Sequence, residues 1–165
     1  MHGVDLDRRN FLRGRLTPSA PAVRPPWTRA QSLDACTACG ACITACPQTI
    51  LGADGEGLPV VNFAGGECTF CGLCADACGE GVFDRTLPAF PHTVRIEEAC
   101  LTARGVVCQS CGDACPEEAI RFQLRLGAPA LPVLDAERCS GCGACIGPCP
   151  AGAISVSPGE AAHHA

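Results

Sequence analysis

The chain has 165 residues, sixteen of them cysteine, and these stand in four groups of fixed internal spacing. The first is Cys36-x2-Cys39-x2-Cys42-x3-Cys46 before Pro47, and the second Cys68-x2-Cys71-x2-Cys74-x3-Cys78 before Gly79. The fourth is Cys139-x2-Cys142-x2-Cys145-x3-Cys149 before Pro150. This is the bacterial run for [4Fe–4S] clusters. Three thiolates two residues apart wrap a loop around one cubane. The fourth, past the start of a short helix, points to the neighbouring cluster. One C-x2-C pair would be weak evidence; the full run, repeated, leaves few alternatives.

The third group is Cys100-x7-Cys108-x2-Cys111-x3-Cys115 before Pro116, with an enlarged first gap from Leu101 to Val107. Gly105 occupies the position that a two-residue gap would require, and it can turn the longer loop back toward the iron. The expected ligand sets are Cys36, Cys39, Cys42 with Cys78, and Cys68, Cys71, Cys74 with Cys46. In the second half they are Cys139, Cys142, Cys145 with Cys115, and Cys100, Cys108, Cys111 with Cys149. Four [4Fe–4S] clusters then use every cysteine. The rival for the third group is a three-cysteine site with Cys100 buried as a small apolar residue. The enlarged loop also predicts hydrogen bonding, solvent access and a potential of its own at that site.

Disulfides fit poorly, because no secretory apolar stretch precedes the cysteines and two-residue gaps suit bridges badly. Structural zinc calls for C-x2-C pairs set apart by a longer loop, not three cysteines in quick succession. Composition agrees with a metal-held fold. With six Phe, one Trp and no Tyr, much of the 47% apolar content is Gly-, Ala- and Cys-sized and buries little area. No stretch approaches the apolar length of a membrane helix, which predicts no direct membrane insertion.

The chain is expected to be a small α+β protein dominated by iron–sulfur sites, built from two tandem bacterial 2[4Fe–4S] ferredoxin-like units. Residues 1–30 read as an arginine- and proline-rich tail, 31–85 as one unit, 86–93 as a linker, 94–157 as the second unit and 158–165 as a C-terminal tail. Strand-like residues fall at 58–63, 119–126 and 130–134, with shorter ones at 81–83, 94–96 and 153–156. Pro88 and Pro91 mark the linker, where His92 is expected at the surface. Gly40, Gly72, Gly112, Gly141 and Gly143 lie inside the cysteine groups, where backbone must approach sulfur closely.

All twelve basic residues are Arg, and Arg8, Arg9, Arg13, Arg15, Arg24 and Arg29 crowd the first thirty positions, while the formal net charge is −5. The remainder is therefore acidic, and bound clusters add negative charge, which argues against nucleic acid as a ligand. Asp7–Arg8–Arg9–Asn10–Phe11–Leu12–Arg13 has the look of a twin-arginine export signal, yet Gly14–Arg15 and prolines replace the apolar stretch that export needs. A short partner-binding segment carrying Phe11 and Leu12 is the better expectation. No histidine lies in a cysteine group, no glycine-rich phosphate loop occurs, and the serines have no base at motif spacing. The chain is thus expected to have no catalytic residues and to move electrons, not to be an enzyme.

Arg8–Arg9–Asn10–Phe11–Leu12–Arg13–Gly14–Arg15, the proline-bearing stretch after it and the four cysteine groups in this order resemble the NapF type of ferredoxin protein, which accompanies the periplasmic nitrate reductase. The resemblance spans essentially the whole chain and includes the enlarged third gap. It implies a cytoplasmic protein whose sixteen cysteines hold the clusters. It also implies a redox partner, the cytoplasmic precursor of the nitrate reductase catalytic subunit, served in maturation or electron supply. The alternative is a general polyferredoxin or an electron-transfer subunit of another oxidoreductase complex. Asp7, where a Ser is usual in the family, weakens any export reading further.

Overall fold

The computed structural model describes residues 22–158; the opening arginine motif and most of the C-terminal tail lie outside the described residues. Regular structure is sparse and mixed α+β. Helix α1 (Ala41–Thr44), α2 (Leu73–Asp76) and α3 (Ser110–Asp113) are four residues each, and a 3-10 turn covers Gln31–Ala35. Each α-helix carries the third cysteine of its group, with the fourth just beyond its end. The strands are β1 (Leu51–Ala53), β2 (Pro59–Val61), β3 (His92–Ile96), β4 (Ile120–Arg125), β5 (Ala128–Leu134) and β6 (Ile154–Pro158). They form three antiparallel pairs, β1 with β2, β3 with β6 and β4 with β5.

The pairings follow from local chemistry. The β1–β2 turn closes because the Asp54 carboxylate accepts from the backbone N–H groups of Glu56 and Leu58. In β3–β6, Val94 faces Val156 and Ile96 faces Ile154, so the apolar residues of both strands share one face. The alternating run after Pro116 becomes β4, which pairs with β5 through a register shift between Gln123 and Arg125. Residues 81–83, expected as a short strand, are irregular, with a bend at Gly81. No described strand pairs with them, and Val82 turns inward as one of the largest fully buried side chains.

Two segments expected to lie outside the ferredoxin-like units pack into the body. Residues 22–30 were expected as tail, but Val23 accepts from Val61 N–H at 2.8 Å, and Trp27 donates to Ala89 at 2.7 Å and accepts from Asp84 at 2.9 Å. Pro25 is fully buried. An extended proline segment keeps its carbonyls free to accept, which suits it to running along a strand edge. Arg24 pins the segment, reaching Asp54 at 2.8 Å and the Pro59 carbonyl at 3.1 Å. Arg24→Ala is expected to give a small fall in thermal midpoint, since it removes both the Asp54 pair and the hydrogen bond to the Pro59 carbonyl.

The expected linker turns two side chains inward, while Thr86, Pro88 and Pro91 stay exposed. Phe90 is a core residue, and His92, expected at the surface, is 8% exposed at the start of β3. Its imidazole lies 4.6 Å from the Phe90 ring and meets Phe63 edge-on. Prolines at 88 and 91 mark a break in regular structure, but aromatic residues between and after them draw the segment inward. Two small apolar cores result. One includes Ile50, Leu51, Val61, Phe63 and Phe90 with Cys42 and Cys74; the other includes Val94, Ile120 and Ile154 with Cys111 and Cys145. Ile146 packs against both.

Candidate metal centres

The structure gathers the sixteen cysteines four at a time around four cavities. Cys36, Cys39, Cys42 and Cys78 line the first. Cys46, Cys68, Cys71 and Cys74 line the second. Cys115, Cys139, Cys142 and Cys145 line the third, and Cys100, Cys108, Cys111 and Cys149 the fourth. Each grouping takes three cysteines from one motif and the last cysteine of the other motif in the same half. All sixteen are free thiols.

The electrostatics group them the same way. Burial pushes the Cys42 thiol up, and the charges of Cys36 and Cys78 add to it. Burial lifts Cys74 to about 11, aided by Cys68, Cys71 and Cys46. Cys111 rises to about 11 by burial with Cys100 and Cys108 contributing, and Cys145 to about 12 by burial with Cys139, Cys142 and Cys115. Crowded, buried thiols resist ionising alone, so a metal that binds them as thiolates must displace their protons. The four thiols of each set line one cavity. Among the described residues no three His, Cys, Asp or Glu side chains converge on a single-ion position.

An orphaned polar atom provides a second test of fit. Ser140 Oγ is the buried side-chain polar atom without a hydrogen-bond partner among the described residues, and Ser140 lines the third cavity between Cys139 and Gly141. An unpaired buried hydroxyl is costly, and a sulfur-rich cluster beside it would supply an acceptor.

Cys100 differs from its counterparts. Burial raises its pKa, but hydrogen bonds from the Thr102 hydroxyl and from the N–H groups of Thr102 and Ala103 outweigh burial and hold the thiol below its ordinary value. The long loop is ordered by its own backbone. Val106 N–H bonds to Leu101 O at 2.9 Å and Gly105 N–H to Thr102 O at 3.3 Å, a helix-terminating pattern that places Gly105 at φ +86°. The extra residues thereby coil into one turn and return Cys100 to the cavity.

The two halves meet at their inner sites. Cys68 N–H donates to Cys142 O at 2.9 Å, joining a cysteine of the second cavity to one of the third. Burial raises the Cys68 thiol, with Cys71, Cys46 and the other half's Cys142 contributing. His92 Nε2 lies 3.0 Å from the Gly141 carbonyl, and donation there fixes the Cys139–Cys142 loop. Trp27, Phe70, Phe90, Phe63 and His92 form a continuous run of ring contacts from the second cysteine group to that loop. Sequence reasoning missed this junction, because its aromatic residues are widely separated in the chain. It also missed Thr102 and Ser110, although a hydroxyl two residues after a cysteine was the available signal.

A profile of the 4Fe-4S dicluster domain matches residues 35–82 and 106–153. The second match begins after Cys100, so the place of that residue rests on the loop geometry. The ferredoxin-type protein NapF of Haemophilus influenzae is 40% identical over 166 residues, spanning 93% of this chain and 94% of that protein. NapF of Escherichia coli K12 is 41% identical over 156 residues, spanning 93% and 95%. The methylamine utilization ferredoxin-type protein MauM of Methylorubrum extorquens is 33% identical over 164 residues, spanning 86% and 74%.

Proposed function

The chain belongs to the NapF family of ferredoxin-type proteins, and we propose that it serves the periplasmic nitrate reductase as a cytoplasmic iron–sulfur accessory. It is an electron-transfer protein and not an enzyme. Its partner on this reading is the cytoplasmic precursor of the catalytic subunit, which it helps to mature or supplies with electrons. All sixteen cysteines are ligands, in two tandem 2[4Fe–4S] units. The gathering of those cysteines four to a cavity, with the last member of each group crossing to its neighbour, is the observation that carries the reading.

Bound there, a [4Fe–4S] cluster supplies one-electron uptake and release with little rearrangement. The chain's own residues set where that happens. Cys46 and Cys78 tie the first two sites together, Cys115 and Cys149 tie the other two, and the Cys68–Cys142 hydrogen bond joins the inner pair. The sites therefore follow one another in single file from the Cys36 cavity to the Cys100 cavity. Among the described residues no helix is long and apolar enough to cross a membrane.

The similarity to MauM favours a second reading, an accessory to a different oxidoreductase. Anaerobic purification from cells that make the nitrate reductase separates the two. The proposal expects about sixteen iron and sixteen sulfide atoms per chain. It also expects the precursor to co-purify, with binding weakened when Arg8 and Arg9 both become Ala. Full iron with no affinity for the precursor, and no electron exchange with it, would leave the MauM-like reading in place.

A further inference from the structure

We propose that the Cys100 site is the most readily reduced of the four and that Thr102 makes it so. The inference rests on the ligand sets above and distinguishes one of them from the rest.

Thr102 is 1% exposed, and its hydroxyl lies 3.2 Å from Cys100 Sγ. Ser110 Oγ lies 3.6 Å from Cys108 Sγ, a second ligand of the same cavity. A thiolate bound to iron has no proton, so each hydroxyl must be the donor. Among the described residues no other cysteine sulfur receives a side-chain hydrogen bond; the buried Ser140 hydroxyl of the third cavity makes none to a cysteine sulfur. The sequence gives the reason: two residues after Cys100 and Cys108 stand Thr102 and Ser110, whereas Cys36, Cys68 and Cys139 are followed at that spacing by Ala38, Phe70 and Gly141. Backbone donation does not separate the two sites of the second half. Ala119 N–H reaches Cys115 Sγ and Ala153 N–H reaches Cys149 Sγ, both at 3.3 Å.

Reduction adds negative charge that spreads onto the thiolate sulfurs, and donors aimed at those sulfurs stabilise the more negative form. A donor held in low dielectric is worth more than one free to turn to water. Thr102 is held. Its carbonyl accepts from Gly105 N–H and, at 3.2 Å, from the Arg125 guanidinium of the β4–β5 hairpin, so the backbone under the hydroxyl is fixed from two sides. The enlarged gap of the third group thus carries a consequence: its extra turn buries Thr102 and holds the hydroxyl against the Cys100 sulfur.

The test is a redox titration, followed by EPR, of the anaerobically purified full chain. Cys100→Ala should remove the highest of the four couples. Thr102→Val, which keeps the shape and loses the hydroxyl, should lower that couple alone, and Thr102→Ser should restore it. Loss of a different couple in Cys100→Ala overturns the inference, as does an unmoved highest couple in fully loaded Thr102→Val. If Thr102→Val sheds iron, Ser110→Ala decides: a lowered highest couple supports the inference and an unmoved one overturns it. Wild-type iron well short of about sixteen atoms per chain would instead bring down the ligand sets themselves.

Discussion

Stripping the iron anaerobically, with thiols kept reduced, is expected to abolish the cooperative fold of both halves at once. The measurements are the thermal transition by circular dichroism and limited proteolysis across residues 31–157. Among the described residues the other elements are weak supports for the fold. Four-residue helices are far below the length at which an isolated helix survives, and two-stranded sheets are marginal alone. The apolar cores are small, and buried cysteines are among their members: Cys42 and Cys74 in one, Cys111 and Cys145 in the other. Without metal those positions face cavities lined by mutually repelling or protonated thiols, and the free energy of metal binding is lost from folding. Most of the sharp transition should disappear, and cleavage should spread from the loops into the strands. An apo chain that kept its transition and its protease resistance would refute the claim that iron–sulfur bonding replaces a hydrophobic interior.

Which cysteines share a cavity was legible in the sequence because the constraint is local: three members of each set come from one group, and spacing determines which. Most strand positions were legible too, 119–126 by its alternation, but β1 was not foreseen and Leu124 stays exposed on β4. What sequence reading missed is tertiary. Pro25 and Pro26 look like tail residues, and only the strand edge at Val61 and the ring of Phe70 make a place for the segment that carries them. His92 looked like a surface residue of a proline-marked linker, because nothing near it in sequence announces the Phe63 and Phe90 rings or the Gly141 carbonyl. Residues 81–83 are apolar enough for a strand but have no partner, so Val82 serves the core without joining a sheet. The enlarged third gap was legible as a difference whose sign was hidden. The coil of the loop sets where Thr102 points, which is the ground for the proposed sign.

Gly143→Ala is expected to cost far more than Gly40→Ala, although both glycines occupy equivalent left-handed positions. Their φ angles are +79° and +74°, so each alanine carries the same backbone penalty of about 1 kcal/mol. The surroundings differ. A Cβ at Gly40 meets nothing within 4 Å, whereas one at Gly143 would overlap the ring of Phe63, which is 4% exposed and belongs to the other half. Phe63 has no room to yield, being wedged against Phe90 and His92. Overpacking at such a contact costs about 1–3 kcal/mol more. Thermal midpoints of the two holo-variants, followed by loss of iron absorbance, should therefore separate by several degrees, with Gly143→Ala the lower. Phe63→Ala lowers stability by itself, but in that background the extra cost of Gly143→Ala should vanish and leave only the backbone penalty. Equal midpoints for the two single variants would mean that the halves do not press together at this point, and the single-file order of the four sites would lose its packed junction.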